Sequence, residues 1–180
     1  MSTLEVKAIQ APAGYNLAMP AGHILQTVST TKTDTWVYSA SSTGFTDVTG
    51  LAATITPTSS SSKILVQVNI NFSNNMRYSA AILLRGSAQI GGGTASGNRP
   101  SVSVCSEANQ DETHNQYVMR NSSFSFLDSP STTSATTYKI QVGNTHEATS
   151  ISYVNRPAAD NDAAYIHRGS STITLTEVAG

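Results

Sequence analysis

The chain has 180 residues, a formal net charge of -1 and one cysteine, and only 12% of its residues are charged. This length suits one domain, and the weak charge excludes a basic surface for nucleic acid. The lone Cys105 excludes an internal disulfide framework. No apolar run reaches the roughly 18 residues of a membrane span, and no signal peptide is recognisable, so we expect neither membrane insertion nor signal-dependent export.

Serine and threonine supply about a quarter of the residues. Because Thr favours half-buried strands and Ser favours turns, the surface is predicted to carry hydroxyl groups rather than charges. A neutral surface gains little solubility from charge repulsion, so it suits a protein that is held in a symmetric assembly.

Residues 1–22 are predicted to form an extended N-terminal attachment arm. Three apolar residues alternate with polar ones near its start, as in a short strand that docks on a partner. Proline and glycine then interrupt the segment and resist packing into a sheet. A disordered terminus is the alternative. The contact residues expected on this arm are Leu4, Val6, Ile9, Met19 and Pro20.

Residues 23–180 are predicted to form one antiparallel β-sandwich of about ten strands. In the strand 66–72, apolar residues alternate with polar ones, which places Val66, Val68, Ile70 and Phe72 on one face. The segments 138–142 and 172–176 alternate in the same way. Weaker strands are predicted at Leu4–Ile9, Ile24–Val28, Thr35–Ser39, Leu51–Thr56, Ala81–Arg85, Val102–Cys105, Gln116–Phe126 and Ile151–Val154.

The breaks between these strands carry residues that tolerate turn geometry, such as Thr49-Gly50 and Asp128-Ser129-Pro130. No window has the spacing of an amphipathic helix, so almost no helix is expected. Many short strands separated by such turns are typical of a sandwich of jelly-roll type.

The glycine-rich stretch from Ile90 to Pro100 is predicted to be a long exposed loop that contacts a partner. It is not a phosphate-binding loop, because no Gly-Lys-Ser/Thr follows the glycines and no helix is predicted there. The contact residues expected on this loop are Ile90, Gly91, Gly92, Gly93, Asn98 and Arg99.

No set of residues indicates catalysis. Asp111 and Glu112 are adjacent, so on a strand they would point to opposite faces and could not flank one glycosidic bond. Asp160-Asn161-Asp162 lacks the Gly and Glu of a calcium loop, and we interpret it as a turn capped by its own side chains. No G-x-S-x-G elbow occurs. We therefore predict no enzyme activity, no catalytic residue and no cofactor.

The histidines are His23, His114, His146 and His167. They are too far apart in sequence to form a preset ligand pair, so no metal site is predicted. The alternative is a single histidine from each subunit at a trimer axis, with His114 or His167 as the ligand.

Four aromatic residues are candidates for stacking on a sugar, namely Trp36, Tyr38, Tyr78 and Tyr117. The first two share one face of a strand by the period of two. At this spacing, core packing is the favoured explanation.

Five blocks occur in a set order: MSTLEVKAIQAPAG, MPAGHILQTVSTTKTDT, FTDVTGLAATITPTSSSSKILV, FLDSPSTTSATTYKIQV and STITLTEVAG. Together they resemble a family of short virion proteins of tailed bacteriophages, common in marine and cyanobacterial phages and usually described as tail-fibre or structural proteins. The stretch AAILLRGSAQIGGG is similar to the strand and hairpin of trimeric jelly rolls of the C1q and tumour-necrosis-factor type.

The resemblance implies a homotrimer with no catalytic residues, assembled in the host cytoplasm and exposed on the surface of the virion. One placement is a capsid decoration protein whose arm contacts the major capsid protein. The alternative is a tail-fibre adhesin that joins a tail adaptor or fibre protein and contacts a host surface glycan or protein.

Overall fold

The computed structural model describes residues 20–39, 43–75, 78–107, 115–144 and 150–180. Within these ranges the chain forms eleven β-strands and one 3-10 turn at Asn115–Tyr117, with no α-helix. No helix in the described residues is long and apolar enough to cross a membrane. The strands are β1 (Ile24–Lys32), β2 (Trp36–Tyr38), β3 (Gly44–Ile55), β4 (Lys63–Asn74), β5 (Tyr78–Arg85), β6 (Ala88–Ile90), β7 (Val104–Glu107), β8 (Arg120–Asp128), β9 (Thr136–Asn144), β10 (Ser152–Val154) and β11 (Ser171–Val178).

The strands form two antiparallel sheets. In the first, which we call the front sheet, β4 pairs with β8 along one edge and with β11 and β10 along the other. Next to these two, β1 pairs with β11 and β2 pairs with β10. In the second, the back sheet, β9 pairs with β3 and β5, and the free edge of β5 pairs with both β6 and β7.

This order is that of a jelly roll. The front sheet reads β1-β11-β4-β8 and the back sheet reads β3-β9-β5-β6, with β7 sharing the position of β6. The chain crosses between the sheets in the sequence of two Greek keys, which is the jelly-roll arrangement. The expected all-β, antiparallel sandwich is therefore confirmed.

The core lies between the sheets and follows the alternation seen in the sequence. On β4 the side chains of Val66, Val68, Ile70 and Phe72 are at most 3% exposed. The inward residues of β9 and β11 are also fully buried, namely Tyr138, Ile140, Val142, Ile173 and Leu175. These burial values confirm the predicted core faces of the three strands. A slip of the register by one residue would expose every apolar side chain, so burial selects this register.

Several strand boundaries differ from the prediction, and β6 was not predicted. Two of the differences have a clear physical reason. β3 begins at Gly44, and Thr49-Gly50 lies inside it at a bulge between Asp47 and Ala52, where Gly50 has φ +84°. A bulge uses turn-like residues without ending a strand, so the predicted break was wrong. The predicted strand Gln116–Phe126 was also wrong in its first part, because residues 115–117 form the 3-10 turn and β8 begins at Arg120.

We call the end of the sandwich where β1 begins and β11 ends the lower end, and the opposite end the upper end. At the lower end Asp128 of the front sheet is 6% exposed. Its carboxylate accepts hydrogen bonds from Tyr138 Oη at 2.6 Å and from Arg85 Nη1 at 2.9 Å, both in the back sheet. Burial, together with the hydrogen bond to Asp128, raises the pKa of Tyr138. The three side chains tie the two sheets together.

Glu177 is a second buried carboxylate at the lower end. It is 0% exposed and accepts hydrogen bonds from Gln26 Nε2 at 2.6 Å and from the amide and hydroxyl of Thr58 at 2.7 Å. Burial by itself raises the pKa of this carboxyl, but the donors outweigh it and hold the pKa below 4.5. The carboxylate therefore joins β11 to β1 and to the segment between β3 and β4.

Replacing Ile70 by alanine is expected to lower the free energy of unfolding by about 2–5 kcal/mol, because it leaves a cavity at a fully buried position. Urea denaturation followed by fluorescence measures the change. Lys63→Ala is the matched control on the exposed side of β4, outside the hydroxyl face defined below, and should cost less than about 0.5 kcal/mol. Equal losses for the two variants would contradict the register of β4.

Acid should weaken the fold partly through Glu177. The pKa of Glu177 is lower in the folded state than in the unfolded state. Its contribution to the free energy of unfolding is therefore present above pH 4.5, the unfolded-state pKa, and is lost as the pH falls through the folded-state pKa. Glu177→Gln should lower the free energy of unfolding by about 1–3 kcal/mol at pH 7 and flatten its dependence on pH below 5. Urea titrations from pH 7 to pH 3 measure both effects.

The control for Glu177→Gln is Asp47→Asn. Hydrogen bonds from Lys139 and Gln141 lower the pKa of Asp47, but its side chain is 49% exposed. This control should leave the stability at pH 7 nearly unchanged. An acid-induced loss of stability in Glu177→Gln as steep as in the unmodified protein would contradict the assignment.

Candidate functional site

The outer face of the front sheet carries a neutral array of polar side chains. The period of two that buries one face of each strand places hydroxyl and amide residues on the other. We call this array the hydroxyl face, and it consists of Thr27, Ser29, Thr31, Gln67, Asn69, Ser123, Ser125, Thr172, Thr174 and Thr176. None of these side chains is ionisable, and the charged residue of β4 on this side is the exposed Lys63 at its lower end.

Hydrogen bonds between neighbouring strands order this face. Ser29 and Thr174 hydroxyls lie 2.9 Å apart, and Asn69 Nδ2 donates to Ser123 Oγ at 3.0 Å. Asn121 Nδ2 donates to Asn69 Oδ1 at 2.8 Å. A shallow depression of about 510 Å³ lies over Gln67, Asn69, Ser123, Ser125, Thr172 and Thr174. These donors and acceptors can also form hydrogen bonds with another protein surface.

Apolar side chains border the hydroxyl face at the lower end. Leu127 is 50% exposed and lies opposite the half-buried Leu65. Ile24 is 66% exposed and pairs with Val178. Exposed apolar side chains that lie together beside a polar face often belong to a surface that contacts another protein.

The predicted arm joins the sandwich at this lower end. The Gly22 amide donates to Ala179 O and the Ala179 amide donates to His23 O, both at 2.8 Å. Pro20 is exposed. The other arm residues, Leu4, Val6, Ile9 and Met19, and the predicted strand Leu4–Ile9, lie outside the described residues, so the role of the arm stays a prediction.

The glycine-rich stretch is a hairpin rather than a loose loop. The Gly93 amide donates to Val102 O at 3.3 Å, and Ser96 and Arg99 form an antiparallel bridge around the turn Gly97-Asn98. The exposure predicted for this stretch holds for Gly92, Gly93, Asn98 and Arg99.

The prediction that the contact loop is exposed was wrong for its first two residues, Ile90 and Gly91. Ile90 is the last residue of β6 and packs half-buried against the core. Gly91 follows at φ +63°, and a Cβ on it would approach Phe126 Cγ to 3.1 Å. Strand pairing with β5 turns Ile90 inward, so the exposed part of the hairpin begins at Gly92.

A 16-residue segment, 155–170, connects β10 to β11 at the upper end. Asn155 begins it, fully buried at φ 63°, a left-handed conformation that asparagine tolerates. Its Nδ2 donates to the carbonyls of Lys32 and Asp34, both at 2.9 Å, and Ser171 Oγ donates to its Oδ1 at 2.6 Å. The amide of Gly169 donates to Asn155 O at 3.0 Å and closes the segment. We call residues 155–170 the upper loop.

Ionic contacts brace the upper loop from within. Asp160 forms ion pairs with Arg156 at 3.1 Å and with Arg168. The Arg156 guanidinium also lies 4.3 Å from the ring centre of Tyr153 on the front sheet. Asp160 was interpreted from the sequence as part of a capped turn, and the structure shows instead that it binds two arginines.

The upper loop presents an exposed aromatic pair. Tyr165 is 58% exposed and Tyr117 is 36% exposed, and their rings meet edge to face with centroids 5.6 Å apart. The Ala159 amide donates to Gln116 O at 2.7 Å, which ties the loop to the 3-10 turn beside Tyr117. A pocket of about 290 Å³ is lined by Asp160, Asn161, Asp162, Ala163, Ile166 and Arg168, and it adjoins Tyr165 through Asn161, whose Nδ2 donates to Tyr165 Oη at 3.5 Å.

Tyr165 was missed by the sequence analysis, which weighed only Trp36, Tyr38, Tyr78 and Tyr117. The available signal was the long interval between the strands ending near Val154 and beginning near Ile173, since long loops in compact domains are often functional. Trp36 and Tyr38 stack with centroids 6.3 Å apart, Trp36 against the core and Tyr38 7% exposed, so the prediction of core packing is confirmed.

The residues considered for metal binding or catalysis lie only partly within the described chain. His23 and His167 are exposed, while His114, His146, Asp111 and Glu112 lie outside the described residues. Among the residues whose placement is described, no three His, Cys, Asp or Glu side chains come together to hold a metal ion. The axial-metal alternative at His114 or His167 stays a prediction.

Comparison with known proteins gives little beyond this geometry. No family model and no curated protein matches the chain. Among solved structures, it is similar to those of the Gt and Gx strains of infectious bursal disease virus, with TM-scores of 0.41 and 0.38 and 11% identity in each case. The matches cover 97% of this chain but only 43% and 42% of those chains, so the protein spans less than half of their length.

Proposed function

We propose that this protein is a non-enzymatic structural protein of a tailed-bacteriophage virion, displayed on the particle exterior as a homotrimeric capsid decoration protein. The observation that carries the proposal is the hydroxyl face, an ordered and neutral contact surface on a jelly-roll scaffold. The five sequence blocks that resemble phage virion proteins support the placement on a phage particle.

The neutrality of the hydroxyl face favours contact between identical copies. Side chains near a three-fold axis meet their own copies, so a charge placed there would be repeated three times at short range. The outer face of the back sheet is different, because Asp47 and Lys139 form an ion pair on it at 2.7 Å. In the proposed trimer the hydroxyl face lies toward the axis.

The lower end supplies the attachment to the particle. The arm enters there beside Ala179, close to the exposed Ile24 and Leu127. In the proposed complex the arm lies on the major capsid protein, and these apolar side chains are covered by the same contact. The arm and the apolar side chains would then be two linked contacts with the shell, and together they would bind it more tightly than either alone.

A tail-fibre adhesin is the second candidate, and the exposed Tyr117 and Tyr165 favour it. They lie at the upper end, away from the point where the arm enters, and are thus available to a host surface when the arm is bound. The two candidates share the arm and the trimer and differ in the place on the particle.

Cryo-electron microscopy of particles from phage lacking this gene distinguishes the candidates. Loss of density from three-fold or quasi-three-fold positions on the head is the expected result for a decoration protein. Loss of density from the tail would establish the adhesin instead, and unchanged particles would contradict both.

Adding purified protein back to these particles tests the arm. The full chain should restore the density, whereas residues 20–180 should stay folded and fail to bind. This shorter chain keeps the contact between Gly22 and Ala179, so its failure to fold would show that the arm belongs to the core.

Gln67→Glu should dissociate the trimer, because it places a negative charge at the centre of the hydroxyl face in every copy. Light scattering after size-exclusion chromatography should give three times the chain mass of 18.9 kDa for the unmodified protein and the single mass for the variant.

The matched control is Thr54→Glu, at an exposed position of the back sheet. It adds the same charge and should leave the trimer intact. A monomeric unmodified protein would contradict the trimer, and dissociation of both variants would contradict the assignment of the hydroxyl face to the axis.

A further inference from the structure

We propose that the upper loop is a glycan-binding site that holds one uncharged pyranose ring, stacked on Tyr165 and hydrogen-bonded to the polar side chains of the adjoining pocket. The inference goes beyond the structural function and holds for either placement on the particle.

Tyr165 has the properties of a stacking platform. Its ring is 58% exposed, and the edge-to-face contact with Tyr117 limits its rotation. A pyranose offers a face of C–H groups that packs on an aromatic ring and a rim of hydroxyls that needs polar partners. An aromatic residue at the border of a polar pocket meets both requirements.

The pocket beside Tyr165 contains both donors and acceptors. Arg168, with a side chain 52% exposed, and Asn161 Nδ2 can donate, and the carboxylate of Asp162 can accept from two neighbouring hydroxyls. Asp160 is balanced by Arg156 and Arg168, so the pocket has little net charge. This combination favours a neutral polyol over a phosphate or a metal ion.

The upper loop is organised before any ligand binds. Asn155 fixes both of its ends, Asp160 joins two of its arginines, and the Ala159 amide is bound to Gln116 O at 2.7 Å. Ligand binding would therefore cost little ordering of the loop. A 16-residue connection of this kind is longer than compact domains need for linking strands.

The size of the site favours a sugar over a protein partner. The pocket of about 290 Å³ lies at the lower limit of small-molecule sites and suits a single ring. A stable protein interface needs about 800 Å² on each partner, with several aromatic or apolar anchors at its centre. On the upper loop and residues 115–118 the large exposed apolar side chains are Tyr117, Val118 and Tyr165, and beyond them Val37 is exposed opposite Tyr153 on the front sheet.

Titration with four methyl pyranosides tests the proposal, using those of glucose, galactose, mannose and N-acetylglucosamine. Proton–nitrogen correlation spectra of the labelled full-length protein should show saturable shifts in residues 155–170 for at least one of them. We expect a millimolar Kd, as is usual for a single weakly held ring. Failure of all four to bind, or shifts confined to other parts of the protein, would overturn the proposal.

Variants then separate stacking from a change of fold. Tyr165→Ala should weaken binding by roughly tenfold or more, while Tyr165→Phe keeps the ring and should stay within about threefold of the unmodified protein. Asp162→Ala should also weaken binding by about tenfold.

The control for these variants is Tyr78→Ala, at a 40% exposed tyrosine on β5, outside the upper loop, and it should leave the Kd unchanged. The spectra themselves report whether each variant is folded. Unchanged binding by both Tyr165→Ala and Asp162→Ala would overturn the proposal.

Discussion

The register of β4 is the constraint on which both the core and the outer surface depend. This strand hydrogen-bonds to β8 on one side and to β11 and β10 on the other. Its inward residues form the centre of the core, and its outward residues Gln67 and Asn69 lie in the middle of the hydroxyl face. A slip by one residue would bury the amides and expose the aliphatic side chains. The energy that holds the core in register therefore also orders the hydroxyl face.

Buried polar groups lie at the two ends of the sandwich. There the strands stop, and their alternating apolar residues no longer cover the core. At the lower end, Asp128 and Glu177 are buried carboxylates whose hydrogen bonds come from other strands and segments. At the upper end, Asn155 satisfies two carbonyls and a hydroxyl. A buried polar group that loses its partners costs far more than an apolar one, so these contacts penalise alternative arrangements of the connecting segments.

Much of the sandwich could be predicted from the sequence, because burial on one face leaves a period of two in strands such as 66–72. The bulge at Gly50 could not, since a glycine at positive φ serves a turn and a bulge equally well. Ile90 was placed in a loop because its strand has only three residues, and a pairing with β5 decides its orientation. The upper loop depends on contacts between residues far apart in sequence, such as Ala159 with Gln116, which no local pattern records.

The two ends of the molecule can act at the same time. β4 has twelve residues, so the sandwich is roughly 35–40 Å long between the entry of the arm and the upper loop. In the proposed complex, an anchor at the lower end would leave Tyr165 accessible, and a sugar at the upper end would not compete with the shell. In the proposed trimer the hydroxyl face lies between them and contacts identical copies, so the three Tyr165 rings would be presented together. Three weak sites on one rigid particle bind a surface far more tightly than one, so even the proposed millimolar site would allow adhesion in a trimer.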